Sequence, residues 1–323
     1  MIDRPAVDGA DPGAIARAAE VLGPRARPTA PLGPLTTYRV GGPAALLVVA
    51  DDPGDLRRVA AAREASGLPV LVVGKGSNLL VVDAGFPGIA VVLGEAFSAI
   101  EIHGGSVRAG GAAALPVVAR RTVAAGLTGF EWAVGVPGSI GGAVRMNAGG
   151  HGSDMAATLR GIRVVDLLTG DDEHVPVDAL DLGYRHSNLP AHRVVVEAEL
   201  ELAPGDPVAG ERTLAEIVRW RREHQPGGHN AGSVFANPPG DHAGRLIDAA
   251  GLRGRRRGSA SVSTKHANFI QVDDGGRADD VLHLMAEIHH RVRAQAGVDL
   301  RPETRIVPPE AWDLALSRVE VES

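Results

Sequence analysis

The chain has 323 residues, which is enough for about two domains of roughly 150 residues each. Hydrophobic residues make up 44% and charged residues 22%, proportions that exclude wholesale disorder. The formal net charge is -6, which argues against a nucleic-acid-binding protein, since such proteins are usually basic. The apolar runs are too short to span a bilayer and the amino terminus has no signal-peptide pattern, so we expect no membrane association. The absence of cysteine excludes disulfides, thiolate metal sites and thiol nucleophiles, and fits a cytoplasmic location.

Short strands and helices mix through the first ~200 residues, a pattern typical of α+β folds. Asp52 and Pro53 suit the N-cap and first position of a helix that ends at Gly67. Helical spacing also predicts helices over residues 12–22 and 115–125. Apolar runs predict strands at residues 45–50, 69–73, 89–93, 99–103, 106–109, 162–168 and 193–202.

The carboxyl-terminal part is predicted to begin after the turn-forming residues 204–207. Thr213 and Glu216 have the spacing of a capping box at a helix start. Asp241 is predicted to cap a second helix, and a long amphipathic helix is expected over residues 279–296.

Residues 72–80 place two glycines, a serine, an asparagine and a lysine directly after a buried strand. Successive backbone N–H groups in such a loop can form an anion-binding nest, and glycine lets a diphosphate approach closely. The alternative is a tight turn with a solvated lysine.

Residues 135–150 contain six glycines among apolar residues. Glycine in a helix costs ~1 kcal/mol relative to alanine, so a glycine-rich helix start needs a reason. Close approach by a flat or phosphorylated ligand is one, and close packing of two backbones is another. No spacing of a metal-binding site occurs, so no metal is expected.

Taken together and in order, these segments resemble the UDP-N-acetylenolpyruvoylglucosamine reductases, over residues 36–307. The matching motifs also include Tyr-Arg-His-Ser at 184–187, Gly-Ser-Val-Phe at 232–235 and Pro-Glu at 302–303. The spacing is that of the shorter type of the family, without a tyrosine-bearing insertion. The resemblance implies an α+β fold: a vanillyl-alcohol-oxidase/PCMH-type FAD-binding domain over residues 1–205, with subdomains at about 30–96 and 97–205, and an α+β substrate-binding domain over residues 206–323.

The family reduces an enolpyruvyl ether of UDP-N-acetylglucosamine to UDP-N-acetylmuramate, a peptidoglycan precursor, with FAD as cofactor and NADPH as reductant. By resemblance Arg185 binds the substrate carboxylate, Ser233 donates a proton to carbon, and Glu303 is a protonated acid. The implied cofactor-binding residues are Tyr38, Arg39, Gly74, Lys75, Gly76, Ser77, Asn78, Leu79, Gly135, Pro137, Gly138, Ser139, Gly141, Gly142 and Asn147. The implied substrate-binding residues are Tyr184, Asn237, Lys265 and His266, and a monomer is expected.

One position departs from the family pattern: Ala236 stands where the family usually has lysine. The basic run from Arg253 to Arg257 could replace the missing cation if it lies near the substrate. Two alternatives therefore stay open: a related flavin reductase acting on another enoyl carboxylate in secondary metabolism, and a flavin-binding protein without turnover.

Overall fold

The computed structural model describes residues 7 and 9–322, and this part of the chain contains eight α-helices. Within it, every helix is too short or too polar to span a bilayer. The helices are α1 (Pro12–Leu22), α2 (Pro53–Ser66), α3 (Leu115–Ala124), α4 (Ile140–Met146), α5 (Pro207–His224), α6 (Ala243–Ala249), α7 (Ala278–Ala296) and α8 (Glu310–Glu322).

The strands of the described residues form six sheets, of which two are large. In chain order they are β1 (Arg27–Pro31), β2 (Pro43–Ala50), β3 (Val70–Val73), β4 (Leu79–Val81), β5 (Phe86–Leu93), β6 (Ile100–His103), β7 (Ser106–Gly110), β8 (Leu127–Thr128), β9 (Gly149–Gly150), β10 (Ser153–Asp154), β11 (Leu159–Asp166), β12 (Asp172–Pro176), β13 (Arg193–Glu201), β14 (Ala203–Pro204), β15 (Arg256–Arg257), β16 (Ala260–Val262), β17 (Ile270–Val272) and β18 (Arg305–Val307).

The first large sheet has the order β1-β2-β5-β3, with β2 and β3 both parallel to β5. Its strands β2, β3 and β5 are apolar because both faces are covered: Val48 packs in a core with α1 and α2, and Leu47 packs in a core on the other face. The predicted start of α2 is confirmed, since Asp52 accepts a hydrogen bond from the N–H of Asp55. Its predicted end is also confirmed, with Gly67 in the left-handed conformation.

The second large sheet is antiparallel throughout, in the order β12-β11-β13-β7-β6. The helices α3 and α4 bury Val118 and Val144 in its core. Helix α5 contributes Leu214 and Ile217 to the same core, although it follows the predicted domain boundary.

A fourth core lies between the small sheet β15-β16-β17 and the helices α6, α7 and α8. It also contains Tyr38 and Leu80 from the amino-terminal part. Strand β18 returns to pair in parallel with β4, with Arg305 opposite Leu79. Packing contacts thus cross the division expected at residues 205 and 206, and that division stays a prediction.

Two predicted helix starts are wrong. The capping box at Thr213 does not form, because α5 begins at Pro207 with Asp206 as its N-cap and the Thr213 hydroxyl donates to the carbonyl of Ala209. Asp241 is not the N-cap of α6; His242 holds that position. At α5 the side chain of Asp206 caps the helix locally by accepting from the N–H of Val208, whereas His242 at α6 makes no side-chain capping hydrogen bond.

The loop between β3 and β4 is held by its contact with the segment after β1. The carbonyl of Gly76 accepts a hydrogen bond from the N–H of Thr37 at 3.1 Å. Gly76 has φ +61°, and a Cβ there would lie 2.1 Å from the carbonyl oxygen of Leu35. The position therefore requires glycine for both its conformation and its packing.

We predict that Gly76→Ala lowers the free energy of unfolding by about 3 kcal/mol, from left-handed strain and overpacking together. Gly104→Ala is the matched control, because Gly104 has φ +58° and open space around its Cβ position. Gly104→Ala should lower the free energy of unfolding by only about 1–2 kcal/mol, because it adds left-handed strain without overpacking. Urea unfolding measures both, and equal losses would contradict the packing argument.

Candidate active site

A cavity of about 680 Å³ lies where the loop after β3, the start of α4 and the segments around residues 232 and 303 meet. This volume is in the range of small-molecule and cofactor sites. The predicted site residues that line it are Gly74, Lys75, Gly76, Ser77, Asn78, Leu79, Gly135, Pro137, Gly138, Ser139, Gly142, Arg185, Ser233 and Glu303.

Arg185 and Glu303, 118 residues apart in sequence, meet at this cavity. Arg185 Nε donates to Glu303 Oε1 at 2.6 Å, and Arg185 Nη2 donates to the carbonyl of Gly149 at 3.3 Å. Arg185 has φ +54° in a tight turn closed by two backbone hydrogen bonds between Gly183 and His186. An arginine held in this disfavoured conformation indicates that the turn is fixed by its surroundings.

The Glu303 side chain is largely buried, and this burial raises the pKa of its carboxyl. The nearby Arg185 guanidinium acts in the opposite direction but is the weaker effect. The backbone of Glu303 is fixed on both sides: its carbonyl accepts from Asn78 Nδ2 at 3.0 Å, and its N–H donates to the carbonyl of Val234 at 2.9 Å. A carboxyl with a raised pKa in a cleft is a candidate acid.

Ser233 reaches the cavity on an extended segment that pairs with Phe269. The buried Asn268 holds this segment, since its Oδ1 accepts from the N–H of Phe235 and its Nδ2 donates to the carbonyl of the same residue. The carbonyl of Val234, next to Ser233, accepts from the N–H of Glu303, so the serine and the glutamate come from adjacent extended segments.

The cavity wall carries more cations than anions. Lys75, Arg145, Arg221 and Arg305 line it together with Arg185, whereas Glu303 is its sole carboxylate among the described residues. Burial and the nearby Arg305 lower the pKa of Arg145 to about 10, and burial lowers the pKa of Arg305. In the described part of the chain no residue binds the Arg305 guanidinium, so the wall is suited to phosphate groups.

Alternation along the chain explains why Arg305 lies here. Glu303 and Arg305 are two residues apart in an extended segment and line the cavity, whereas Thr304 between them is buried on the other side. Arg305 was not among the predicted site residues, although the spacing from Glu303 was a usable signal.

Eight predicted site residues lie outside this cavity. Gly141 packs against backbone instead, since a Cβ there would lie 3.2 Å from the carbonyl oxygens of Gly111 and Val195. It borders a smaller neighbouring pocket. Tyr38 is fully buried in the core beside α7, where burial raises the pKa of its phenol.

Asn147 ends α4 in the left-handed conformation and is buried. Its Nδ2 donates to Asp154 and to the carbonyl of Gly183, and its Oδ1 accepts from the N–H of Ala156. These contacts tie the turn that carries Arg185 to α4. The structure thus gives Asn147 a positioning contact, and its role in binding the cofactor stays a prediction.

The other five lie on the surface or near α6. Arg39 and Lys265 are exposed, and Tyr184 lies 5.4 Å from the Arg185 guanidinium as a ring-to-cation contact. Asn237 Oδ1 accepts from the N–H of Ala243 at the start of α6. His266 packs edge-on against Phe269, and burial lowers the pKa of its imidazole.

The basic run after α6 is engaged elsewhere. Arg253 makes two 2.8 Å hydrogen bonds to Asp248, Arg255 lies 2.8 Å from Glu287, and Arg256 pairs with Asp273. None of the run lines the cavity. Carboxylates already neutralise three members of the run, and the suggestion that it replaces the missing lysine stays a prediction.

Comparisons with known proteins point to one family. Residues 224–307 match the family described as "UDP-N-acetylenolpyruvoylglucosamine reductase, C-terminal domain", and residues 44–175 match "FAD binding domain". The chain is 43% identical over 280 residues to the UDP-N-acetylenolpyruvoylglucosamine reductase of Heliobacterium modesticaldum, covering 86% of this chain and 89% of that protein. It is 39% identical over 291 residues to the reductase of Rubrobacter xylanophilus, covering 88% and 96%.

A solved structure gives the same result. The crystal structure of UDP-N-acetylenolpyruvylglucosamine reductase from Thermus caldophilus superimposes with a TM-score of 0.76 at 36% identity, covering 86% of this chain and 97% of that chain. The predicted α+β fold, with an FAD-binding domain followed by a reductase carboxyl-terminal domain, is confirmed.

We predict that the raised pKa of Glu303 makes the protein lose stability as pH rises. The unfolded chain releases the proton near the usual pKa of 4.5, whereas the folded chain keeps it to higher pH. The free energy of unfolding of the wild type minus that of Glu303→Gln should be constant below 4.5 and fall as pH rises from 4.5 to the folded-state pKa.

Urea unfolding across this range measures the difference. The exposed Glu64→Gln on α2 controls for loss of one negative charge. A difference that rises with pH would show that the Arg185 contact outweighs burial and would contradict the argument.

Proposed function

Because the chain belongs to the UDP-N-acetylenolpyruvoylglucosamine reductase family, we propose that it reduces the enolpyruvyl ether of UDP-N-acetylglucosamine to UDP-N-acetylmuramate. FAD bound in the cavity is the cofactor and NADPH is the source of hydride. The product is a precursor of peptidoglycan, which links the enzyme to cell-wall synthesis, cell shape and cell division.

The observation that carries the proposal is the meeting of Arg185, Ser233 and Glu303 in one cavity. These residues come from three separate segments, and the Arg185–Glu303 contact of 2.6 Å joins two of them. A guanidinium, a hydroxyl and a buried carboxyl are the groups that reduction of an enolpyruvyl carboxylate requires.

The cavity fits FAD in its size, its glycine-lined wall and its excess of cations. The residues that would hold the cofactor are those of the loop at 74–79 and of the segment 135–142 that line the cavity, with Lys75 and Arg305 available to phosphate oxygens. FAD, when bound, accepts hydride from NADPH and delivers it to the terminal carbon of the enolpyruvyl group.

Arg185 binds the carboxylate of the enolpyruvyl group. Its Nε is engaged by Glu303 and its Nη2 by Gly149, and no described residue binds its Nη1. The charge that develops on the carboxylate and the neighbouring carbon is thus met by a fixed donor, and loss of one such donor typically costs 10²–10³ in rate.

Glu303 acts in its protonated form and stabilises the enolic state of that carboxylate. Burial supports this protonation by raising the pKa. Ser233 donates the proton to the carbon next to the carboxylate and recovers one from water. A serine hydroxyl suffices because the enolic carbon is strongly basic and the Ser233 segment is held by Asn268.

The predicted substrate contacts of Tyr184, Asn237, Lys265 and His266 belong to this proposal and stay predictions. They lie outside the cavity lining. Tyr184 lies beside Arg185, and His266 lies against Phe269. Asn237 lies at the start of α6, and Lys265 donates to the carbonyl of Arg222 in α5. The preference for NADPH, the monomeric state and the cytoplasmic location also stay predictions.

The alternative function, reduction of a different enoyl carboxylate, depends on the presence of Ala236 in place of the family lysine. Ala236 is 7% exposed, its N–H donates to the carbonyl of Arg301, and it does not line the cavity. The similarity to UDP-N-acetylenolpyruvoylglucosamine reductases at 43% and 39% identity supports the UDP-sugar as the substrate.

We predict that Ser233→Ala separates the two halves of the reaction. Reduction of bound FAD by NADPH should keep a rate near that of the wild type, whereas reoxidation by the enolpyruvyl substrate should slow by about 10²–10⁴ because the proton donor is gone. Stopped-flow absorbance of the flavin measures both steps.

Ser106→Ala is the control, since Ser106 is an exposed serine at the start of β7 and remote from the cavity lining. It should leave both steps unchanged. Equal slowing of both steps in Ser233→Ala would remove the proton-donor role, and a protein that does not bind FAD would remove the proposed function itself.

A further inference from the structure

The last turn of α5 forms part of the cavity wall that no assigned role explains. Arg221 lies in this turn and Gln225 follows it as the C-cap, and both line the cavity. They are four residues apart, and the N–H of Gln225 donates to the carbonyl of Arg221 at 2.8 Å. Their side chains therefore share one side of the helix end.

Both side chains are half-buried and lack partners among the residues that the structure describes. The Arg221 guanidinium lies over Gly135, where a Cβ would be 3.0 Å from Arg221 Cδ, and burial lowers its pKa. Gln225 Oε1 is fully buried without a hydrogen-bond partner. Buried polar groups are nearly always satisfied, so the unpartnered Gln225 oxygen beside a cavity points to a missing ligand. The partly buried Arg221 guanidinium next to it donates to no described residue, so its N–H groups can bind the same ligand.

The two groups together select the chemistry of that ligand. A guanidinium offers only donors, whereas a carboxamide offers one donor and one acceptor. A phosphate or carboxylate has only acceptors and would leave the Gln225 acceptor unsatisfied. A ring edge in which C=O and N–H alternate satisfies both residues, and this edge is an imide.

The neighbouring Trp220 supports a flat ring at this place. It lines the cavity, is 44% exposed and stacks on His224 with ring centroids 4.7 Å apart. His151, on the turn between β9 and β10, contacts the same indole edge-on at 5.1 Å. The indole of Trp220 and the imidazole of His151 thus place flat rings at this end of the cavity, beside the two polar side chains.

We propose that Arg221 and Gln225 form a subsite that recognises the imide edge of a heteroaromatic ring. Arg221 donates to a ring carbonyl, and the Gln225 carboxamide accepts from the ring N–H and donates to a carbonyl beside it. Two rings of the proposed function carry this edge: the pyrimidine end of the flavin and the uracil of the UDP-sugar. The inference rests on the proposed function for these two sources.

The test uses binding, so it does not depend on turnover. Gln225→Leu removes the donor and the acceptor at similar size, and Arg221→Met removes the donors. Glu223→Ala, exposed on the same turn and outside the cavity, is the matched control. FAD is titrated into apoprotein by flavin absorbance, and UDP or CDP is titrated into FAD-loaded protein by calorimetry.

CDP is the informative probe because cytosine has a ring nitrogen and an amino group in place of the imide N–H and one carbonyl. If uracil occupies the subsite, the wild type prefers UDP over CDP by about tenfold or more, and both variants lose the preference while FAD affinity is unchanged. If the flavin occupies it, both variants bind FAD about tenfold more weakly, with a shifted visible spectrum and unchanged UDP affinity.

Either pattern supports the imide subsite. Unchanged affinities for FAD and UDP in both variants would overturn it, as would two variants that affect different ligands. Thermal unfolding of each variant distinguishes loss of the subsite from loss of the fold. Failure of the enzyme to reduce the enolpyruvyl substrate would count against the proposed function and leave these binding results interpretable.

Discussion

The contact between Arg185 and Glu303 is the interaction on which the site depends, because each partner is placed by a different part of the chain. The Arg185 turn is held by Asn147, whose carboxamide reaches the carbonyl of Gly183, and by the carbonyl of Gly149. Glu303 is held by hydrogen bonds from Asn78 Nδ2 and to the carbonyl of Val234. Separate elements thus fix a cation and a buried carboxyl at 2.6 Å.

The return of the chain to the amino-terminal part makes this possible. Strand β18 pairs in parallel with β4, so the loop that precedes β4 and the segment that carries Glu303 and Arg305 border the same cavity. Glu303, Arg305 and the glycine-rich loop before β4 are therefore one structural unit, although more than 220 residues separate Asn78 from Glu303 in sequence. A ligand that bridges them also joins the segments that carry them.

Sequence reasoning predicted most of the periodic elements, and most of the motif glycines line the cavity. The bounds of α1, the caps of α2 and the length of α7 follow from local hydrogen bonding and amphipathic spacing, which are visible in the sequence. It did not predict Arg221, Gln225 or Arg305 as cavity residues, because their role follows from which side of α5 and β18 faces the cavity. Tyr38 and Asn147 belong to real motifs, yet tertiary contacts use their side chains for packing and positioning.

The most direct measurement of the central claim is a double-mutant cycle on the rate at which the enolpyruvyl substrate reoxidises the reduced flavin. The variants are Arg185→Gln, Glu303→Gln and the double mutant. If the two residues act as one unit, the double mutant will be little slower than the slower single mutant. Rate losses that multiply would show that the two side chains act independently and would contradict the account.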